Sequence, residues 1–215
     1  MQNVLDDHHP SIRVQDDIAE TVLTKELFTS FFEGCPPARF VGLAPIFTER
    51  GHLYRLALAV STKVLIIQFA AKGKNKNAYL GREILQSQVL CNPDVTLLAF
   101  DLGELAIALY SDQDLRITNG VDVQSACGTE RSHVAVVKLA VGDCATVYDQ
   151  NISAHFQTSV LDAGSKRTTS FALQAWLAQC LSGYPGMEER FRGAPMIDTK
   201  GKNELVRSSI MLLAT

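Results

Sequence analysis

The spacing of hydrophobic positions changes several times along the chain, and each change marks an element. From Thr21 onward Val22, Leu23, Leu27, Phe28, Phe31 and Phe32 recur three and four apart, which places them on one face of an amphipathic helix. Gly34-Cys35-Pro36-Pro37 ends it, because proline cannot continue a helix. Three short apolar segments follow: Phe40-Val41-Gly42-Leu43, Leu53 to Val60, and the β-branched run Val64 to Phe69. Ser61-Thr62-Lys63 separates the last two, a connection short enough for an antiparallel hairpin. A loop rich in Lys, Gly and Asn, Lys72 to Asn77, then leads to a helical stretch around Ile84, Leu85, Val89 and Leu90 that Asn92-Pro93-Asp94 breaks. Val95 to Phe100 reads as a strand and Leu105 to Tyr110 as a helix. Ser111 to Asp114 reads as a turn and Leu115-Arg116-Ile117 as a strand, with Gly120-Val121-Asp122-Val123 opening the next segment.

The predicted order is helix, three strands, helix, strand, helix, strand. Three antiparallel strands followed by strand–helix alternation give a mixed central β-sheet flanked by helices, an α/β fold. Beyond residue 125 the pattern weakens. His133 to Val141 fits a strand or a buried helix, and periodicity does not choose between them. Phe171 to Leu181 is a clear amphipathic helix stopped by Gly183-Tyr184-Pro185-Gly186. Leu205 to Leu213 looks helical and reaches the end without a stop signal, as in a chain cut from something longer. Residues 1–19 are polar and acidic and read as a flexible lead-in, leaving 20–215 as a single domain.

Composition narrows the function classes. Apolar residues make up 47% and charged residues 20%, and there are 14 Gly and 7 Pro, which excludes collagen-like and broadly disordered chains. Uninterrupted aliphatic runs are as short as Val64-Leu65-Ile66-Ile67, so no membrane span is expected. The acidic N-terminus has no apolar core of the secretory kind, and an intracellular setting, nuclear or cytoplasmic, is expected. The formal net charge of −3 confines any nucleic-acid binding to a local patch. Cys35, Cys91, Cys127, Cys144 and Cys180 form no C-x-x-C pair, which argues for reduced core thiols rather than a zinc ribbon or a disulfide scaffold.

Particular residues carry a resemblance. Phe40-Val41-Gly42-Leu43, Leu56-Ala57-Leu58-Ala59-Val60, Lys63-Val64-Leu65-Ile66-Ile67, Val89-Leu90-Cys91-Asn92-Pro93-Asp94-Val95 and the run from Leu109 to Asp122 follow one another in a characteristic order. Residues 40–125 resemble the RNase D / Werner-type branch of the 3′–5′ exonucleases, which implies a ribonuclease H-like fold. In that family a first-strand D-x-E pair and two further acidic residues hold two divalent metals for phosphodiester hydrolysis.

The departures from that pattern set the expected function. Ala44 and Ile46 stand where the resemblance places the D-x-E pair. Neither can offer the anionic oxygen that Mg²⁺ or Mn²⁺ needs at about 2.1 Å. The second-motif Asp falls on Leu105 when the downstream register is kept, while Asp101 and Glu104 are the possible remnants. Taking Leu212-Leu213-Ala214-Thr215 as the remnant of the third motif puts Leu in place of its Tyr and ends the chain before its Asp. The resemblance thus implies a degenerate exonuclease-like domain with no catalytic set, metal or cofactor.

Other constellations are weaker. Asp112-Gln113-Asp114 is the single D-x-D, in a predicted turn where Asp serves local hydrogen bonds. Asp122 matches a family Asp outside the ligand set and reads as a cap. His52, His133 and His155 lack partners at ligand spacing, and no P-loop, G-x-S-x-G or G-x-G-x-x-G occurs. Lys72, Lys74, Lys76, Arg190, Arg192, Lys200 and Lys202 are the candidates for contacting phosphates. The expected role is therefore a catalytically inactive module in an RNA-processing or RNA-silencing assembly. Its expected partner is a protein, with RNA or single-stranded nucleic acid and a second copy of the chain as further partners. An active nuclease with displaced ligands and an unrelated α/β binding module are the alternatives.

Overall fold

Alternate residues of a strand point to opposite faces of its sheet, and here that period builds a separate core on each side. The computed structural model describes residues 4–5, 12–70, 76–128, 132–157 and 165–199. Its strands are β1 (Arg13–Ala19), β2 (Arg39–Phe47), β3 (Leu53–Ala59), β4 (Lys63–Gln68), β5 (Val95–Ala99) and β6 (Gly120–Asp122). They lie in the order β1-β4-β3-β2-β5-β6. β2, β3 and β4 are antiparallel, whereas β5 joins β2, β6 joins β5 and β1 joins β4 in parallel. The mixed central sheet flanked by helices is the one the sequence pattern predicts.

The helices are α1 (Lys25–Phe31), α2 (Lys76–Leu85), α3 (Leu102–Gln113), α4 (Val123–Cys127), α5 (His133–Val141), α6 (Asp149–Phe156), α7 (Ser165–Cys180) and α8 (Met187–Gly193). On one face of the sheet Val41, Leu43, Leu56, Leu58, Leu65 and Ile67 pack with Phe28, Leu85, Leu105 and Leu109, from α1, α2 and α3. On the other, Ala44, Ile46, Ala57, Ala59 and Ile66 pack with Val137, Ala172, Trp176 and Phe191, from α5, α7 and α8. The second face is built of small residues where the first has leucines. That difference lets α7 lie against β2 at backbone distance. A Cβ added to Gly42 would strike the Ala175 carbonyl oxygen and come within 2.9 Å of the Gln179 nitrogen.

The structure departs from the sequence reading in four places. Residues 13–19, taken as part of a lead-in, form β1, because Val14 and Ile18 alternate with polar neighbours and β4 offers an edge to pair with. Val4 and Leu5, also from that stretch, are buried, and Leu5 bridges Val147. Residues 21–32 are not one helix. Glu20–Val22 make a 3₁₀ turn, and α1 starts after Thr24, whose hydroxyl accepts from the Leu27 amide at 3.2 Å. The expected turn at 111–114 is the end of α3, closed by Asp114 in the left-handed region.

Leu115-Arg116-Ile117 is not a strand, although Leu115 and Ile117 are buried. Its amides are used elsewhere: Leu115 donates to the Leu109 carbonyl, Arg116 to Gln86 Oε1 and Ile117 to Thr199 Oγ1. The strand comes three residues later, as β6. His133–Val141 resolves as a helix, with Ser132 Oγ accepting from the Ala135 amide.

All five cysteines are free thiols, with Cys127 buried and Cys144 exposed. Burial pushes the Cys127 thiol above its ordinary value, against the nearby Arg190, and does the same to Cys35 against Arg39 and Lys63. A raised value keeps these groups as unreactive thiols at neutral pH. Iodoacetamide at about pH 7.5 should therefore modify Cys144 first and Cys127 only on unfolding, which peptide mass mapping over time would reveal. Early labelling of Cys127 would contradict the packing of α4.

Candidate functional site

The candidate site is the region where β2 and β5 end, on the α7 side of the sheet. Ala44 pairs with Ala57 across β3, and Ile46 pairs with Arg55. Both side chains are only 2% exposed. They belong to the cluster that holds Leu98 and Phe100 from the β5 side and Ala172 and Trp176 from α7. The indole of Trp176 is anchored by its N–H, which donates to the Ser61 carbonyl at 3.1 Å. Apolar packing thus occupies this stretch of β2, and neither side chain carries an atom that can ligate a cation.

At the end of β5 the chain turns sharply. Asp101 takes the left-handed conformation with φ of 54°. Its amide donates to Gln124 Oε1 at 3.0 Å, and its exposed carboxylate lies 3.3 Å from His133 Nε2. The His133 ring stacks on Phe156 at 3.9 Å, and Phe100 meets both rings edge-on. Glu104 is exposed in the first turn of α3. Leu105 faces the opposite way, fully buried in the α1–α3 cluster, so the fold does not bring it together with Ala44 and Ile46.

Asp122 acts as a cap at two helix starts. Its Oδ1 accepts from the Ser125 amide at 2.7 Å and its Oδ2 from the Leu102 amide at 2.8 Å. Asp122→Ala should lower stability by about 1–3 kcal/mol, as two caps are lost together. Urea denaturation would measure it, and an unchanged midpoint would contradict the double-cap role.

A two-metal centre needs several converging carboxylates. Among the described residues no group of three or more His, Cys, Asp or Glu side chains could hold a metal ion. Ala44 and Ile46 supply no donor, both Asp122 oxygens are engaged, and Asp101 faces His133. The described residues therefore do not fit such a centre.

Three of the basic candidates fall on described helices, on opposite sides of the sheet. Lys76 opens α2, which packs with the α1–α3 cluster, while Arg190 and Arg192 lie on α8 across the sheet. Arg192 donates to Glu188 Oε1 through Nε and Nη2, at 3.0 and 2.9 Å, and lies over the Phe40 ring. Arg190 stands against the Cys127 thiol. Lys72, Lys74, Lys200 and Lys202 lie outside the described residues, as does 205–215.

Comparison with known proteins identifies the fold. The Aedes aegypti Nibbler EXO domain matches with a TM-score of 0.57 and 15% identity, over 87% of this chain and 91% of that one. Escherichia coli RNase D, an exoribonuclease involved in structured RNA processing, matches with 0.55 and 15% identity, over 85% of this chain. Brucella melitensis NrnC bound to pGG matches with 0.55 and 11% identity, over 85% and 82%. The chain has a DEDD 3′–5′ exonuclease-like fold. It spans 45% of the length of the E. coli RNase D chain. No protein-family model and no curated protein matches it.

The helix against β2 is α7, and Leu212, where the third motif is expected, lies outside the described residues. Ala172 and Trp176 of α7 were missed as neighbours of Ala44 and Ile46. The signal for them is small residues at alternate strand positions (Gly42, Ala44, Ala57, Ala59) facing a helix with alanines at 172, 175 and 178. The Asp101–His133 pair was also missed, since 32 residues separate its members. Among the described residues no helix is long and apolar enough to cross a membrane.

Proposed function

We propose that this chain is a catalytically inactive exonuclease-like domain that serves as an interaction module in an RNA-processing or RNA-silencing assembly. The observation that carries this reading is the buried, apolar state of Ala44 and Ile46 on β2. A cleft that holds two metals must present carboxylates there, and this one is closed by hydrocarbon instead. The fold persists because both cores are apolar and neither needs a metal charge to hold it.

A protein partner is favoured over RNA. The chain is acidic overall, and Arg192 is neutralised by Glu188 on its own helix. Val22, Tyr79 and Leu80 remain exposed at 61%, 66% and 55% on the 3₁₀ turn and α2, apolar area of the kind that protein contacts cover. RNA is the second reading, supported by the RNase D from Trypanosoma brucei that matches as a complex with RNA U12 at a TM-score of 0.53.

Thermal unfolding with Mn²⁺ alone tests the loss of the metal centre. A cation that binds only the folded state raises the melting temperature. The expected result is no rise at millimolar Mn²⁺ beyond that seen with Ca²⁺. A rise specific to Mn²⁺ that Asp101→Asn or Glu104→Gln removes would restore the nuclease reading. Fluorescence anisotropy with single-stranded RNA at two salt concentrations separates the partners: no salt-sensitive binding is expected, and strong salt-sensitive binding would move the assignment to RNA.

A further inference from the structure

Phe32 closes α1, and two cations gather at that end of the helix. Arg39, the first residue of β2, lays its guanidinium over the Phe32 ring, with Cζ 4.2 Å from the centroid. Its backbone is tied down as well, the amide donating to the Asp94 carbonyl at 3.0 Å. Lys63, the first residue of β4, donates from Nζ to the Ser30 carbonyl at 2.6 Å and reaches the Glu33 carbonyl at 3.5 Å. Both cations lie close enough to the Cys35 thiol to oppose the rise that burial gives it. This corner is at the opposite end of the sheet from Asp101, since β2 and β5 run parallel and pair from Arg39 and Val95.

The two cations differ in what they already hold. Lys63 suits the carbonyl end of α1, where a positive charge is favoured, and its ammonium keeps one further N–H. The Arg39 side chain has no hydrogen-bond or ion-pair partner among the described residues. Its Nε is buried without an acceptor, so the outer Nη groups are what the fork presents. Exposed Glu33 and Asp94, close by in the chain, pair with neither cation among the described residues. Pro36 and Pro37, exposed just before Arg39, stiffen the backbone and offer no N–H. A partner therefore meets side chains there rather than a strand edge.

We propose that the Arg39–Lys63 corner docks an acidic segment of a protein partner, with one carboxylate forked onto the Arg39 Nη groups and Lys63 as the second cation. The inference rests on the protein-partner reading and names the chemistry of that partner. Stacking on Phe32 holds the guanidinium flat before the partner arrives, so less side-chain freedom is lost on binding. A nucleic acid is held by a track of cations along its backbone, whereas two cations beside one ring suit one or two carboxylates.

Fluorescence anisotropy of the full chain with a labelled hexaglutamate peptide tests it, with hexalysine and single-stranded RNA as the other probes. Hexaglutamate should bind, and the other two should not. Arg39→Gln should weaken hexaglutamate binding at least about tenfold, as a bidentate charge-assisted pair is lost. Arg39→Lys should restore only part of it, since a point charge cannot make the fork. Changing exposed Arg50, in the turn after β2, to Gln should leave binding unchanged. In the unaltered chain, hexaglutamate should slow phenylglyoxal modification of Arg39 and not of Arg50, as read by peptide mass mapping. No hexaglutamate binding at millimolar concentration, no protection of Arg39, or equal binding by Arg39→Gln would overturn the docking site and leave the protein-partner reading standing. RNA binding that Arg39→Gln removes would overturn both.

Discussion

Gly42→Ala should come close to unfolding the domain. The added methyl would point from β2 into the backbone of α7, at the Ala175 carbonyl and 2.9 Å from the Gln179 nitrogen. These are main-chain atoms in the middle of a buried helix, so no rotamer change can make room. Either α7 lifts off the sheet, opening voids around Trp176 and Ala57, or β2 buckles. Overpacking a core typically costs about 1–3 kcal/mol, and a backbone collision belongs above that range. Against a usual domain stability of about 5–15 kcal/mol, the urea midpoint should fall steeply or the protein should be insoluble. Gly103→Ala is the control: nothing lies within 4 Å of its Cβ, and it sits inside α3. That change should be neutral or stabilising by up to about 1 kcal/mol. Equal midpoints for Gly42→Ala and wild type would mean that α7 does not rest on β2 as described.

Arg82→Ala should cost about 3–5 kcal/mol, the toll of leaving a buried carboxylate unpaired. Glu20 is fully buried where β1 ends, and its carboxylate receives Arg82 Nε at 2.6 Å and Nη2 at 3.0 Å. The Ala70 amide donates to the same carboxylate at 2.8 Å. Arg82 also reaches the Ala70 and Gln113 carbonyls, tying α2 to the ends of β4 and α3. Gly81 marks how tight the junction is, since a Cβ there would strike the Glu20 carbonyl oxygen. Replacing both partners, Glu20→Leu with Arg82→Met, should cost less than Arg82→Ala alone, because no charge is left stranded. The Ala70 amide would still lose its acceptor, so some of the loss should remain. Urea denaturation of Glu20→Leu, Arg82→Met and the double variant reads the coupling. A double variant no better than Arg82→Ala would show that the pair is not what holds α2 in place.

The sheet was legible because its strands write their own period. Val41 and Leu43 face one core, Gly42 and Ala44 the other, and the same alternation runs through Leu56 to Ala59 and Val64 to Ile67. Short connections then fixed the antiparallel trio. β1 was not legible, because an edge strand such as RVQDDIA needs few apolar residues and its acidic pair resembles a solvated tail. Leu115 to Ile117 misled for the opposite reason: its side chains are buried like a strand's while its amides serve side chains and a helix end. At the candidate site, Ala44 and Ile46 could be read from a local motif, and Asp122 could be read as a cap. The Asp101–His133 pair could not, because 32 residues separate its members and only the fold brings them together.

The central claim is that this exonuclease-like fold does not cut. The direct test is incubation of the purified chain with 5′-labelled single-stranded RNA in Mn²⁺, followed by separation of the products at nucleotide resolution. Intact full-length RNA after prolonged incubation is the predicted result. A ladder of 3′-shortened products that disappears in Asp101→Asn or Glu104→Gln would contradict it.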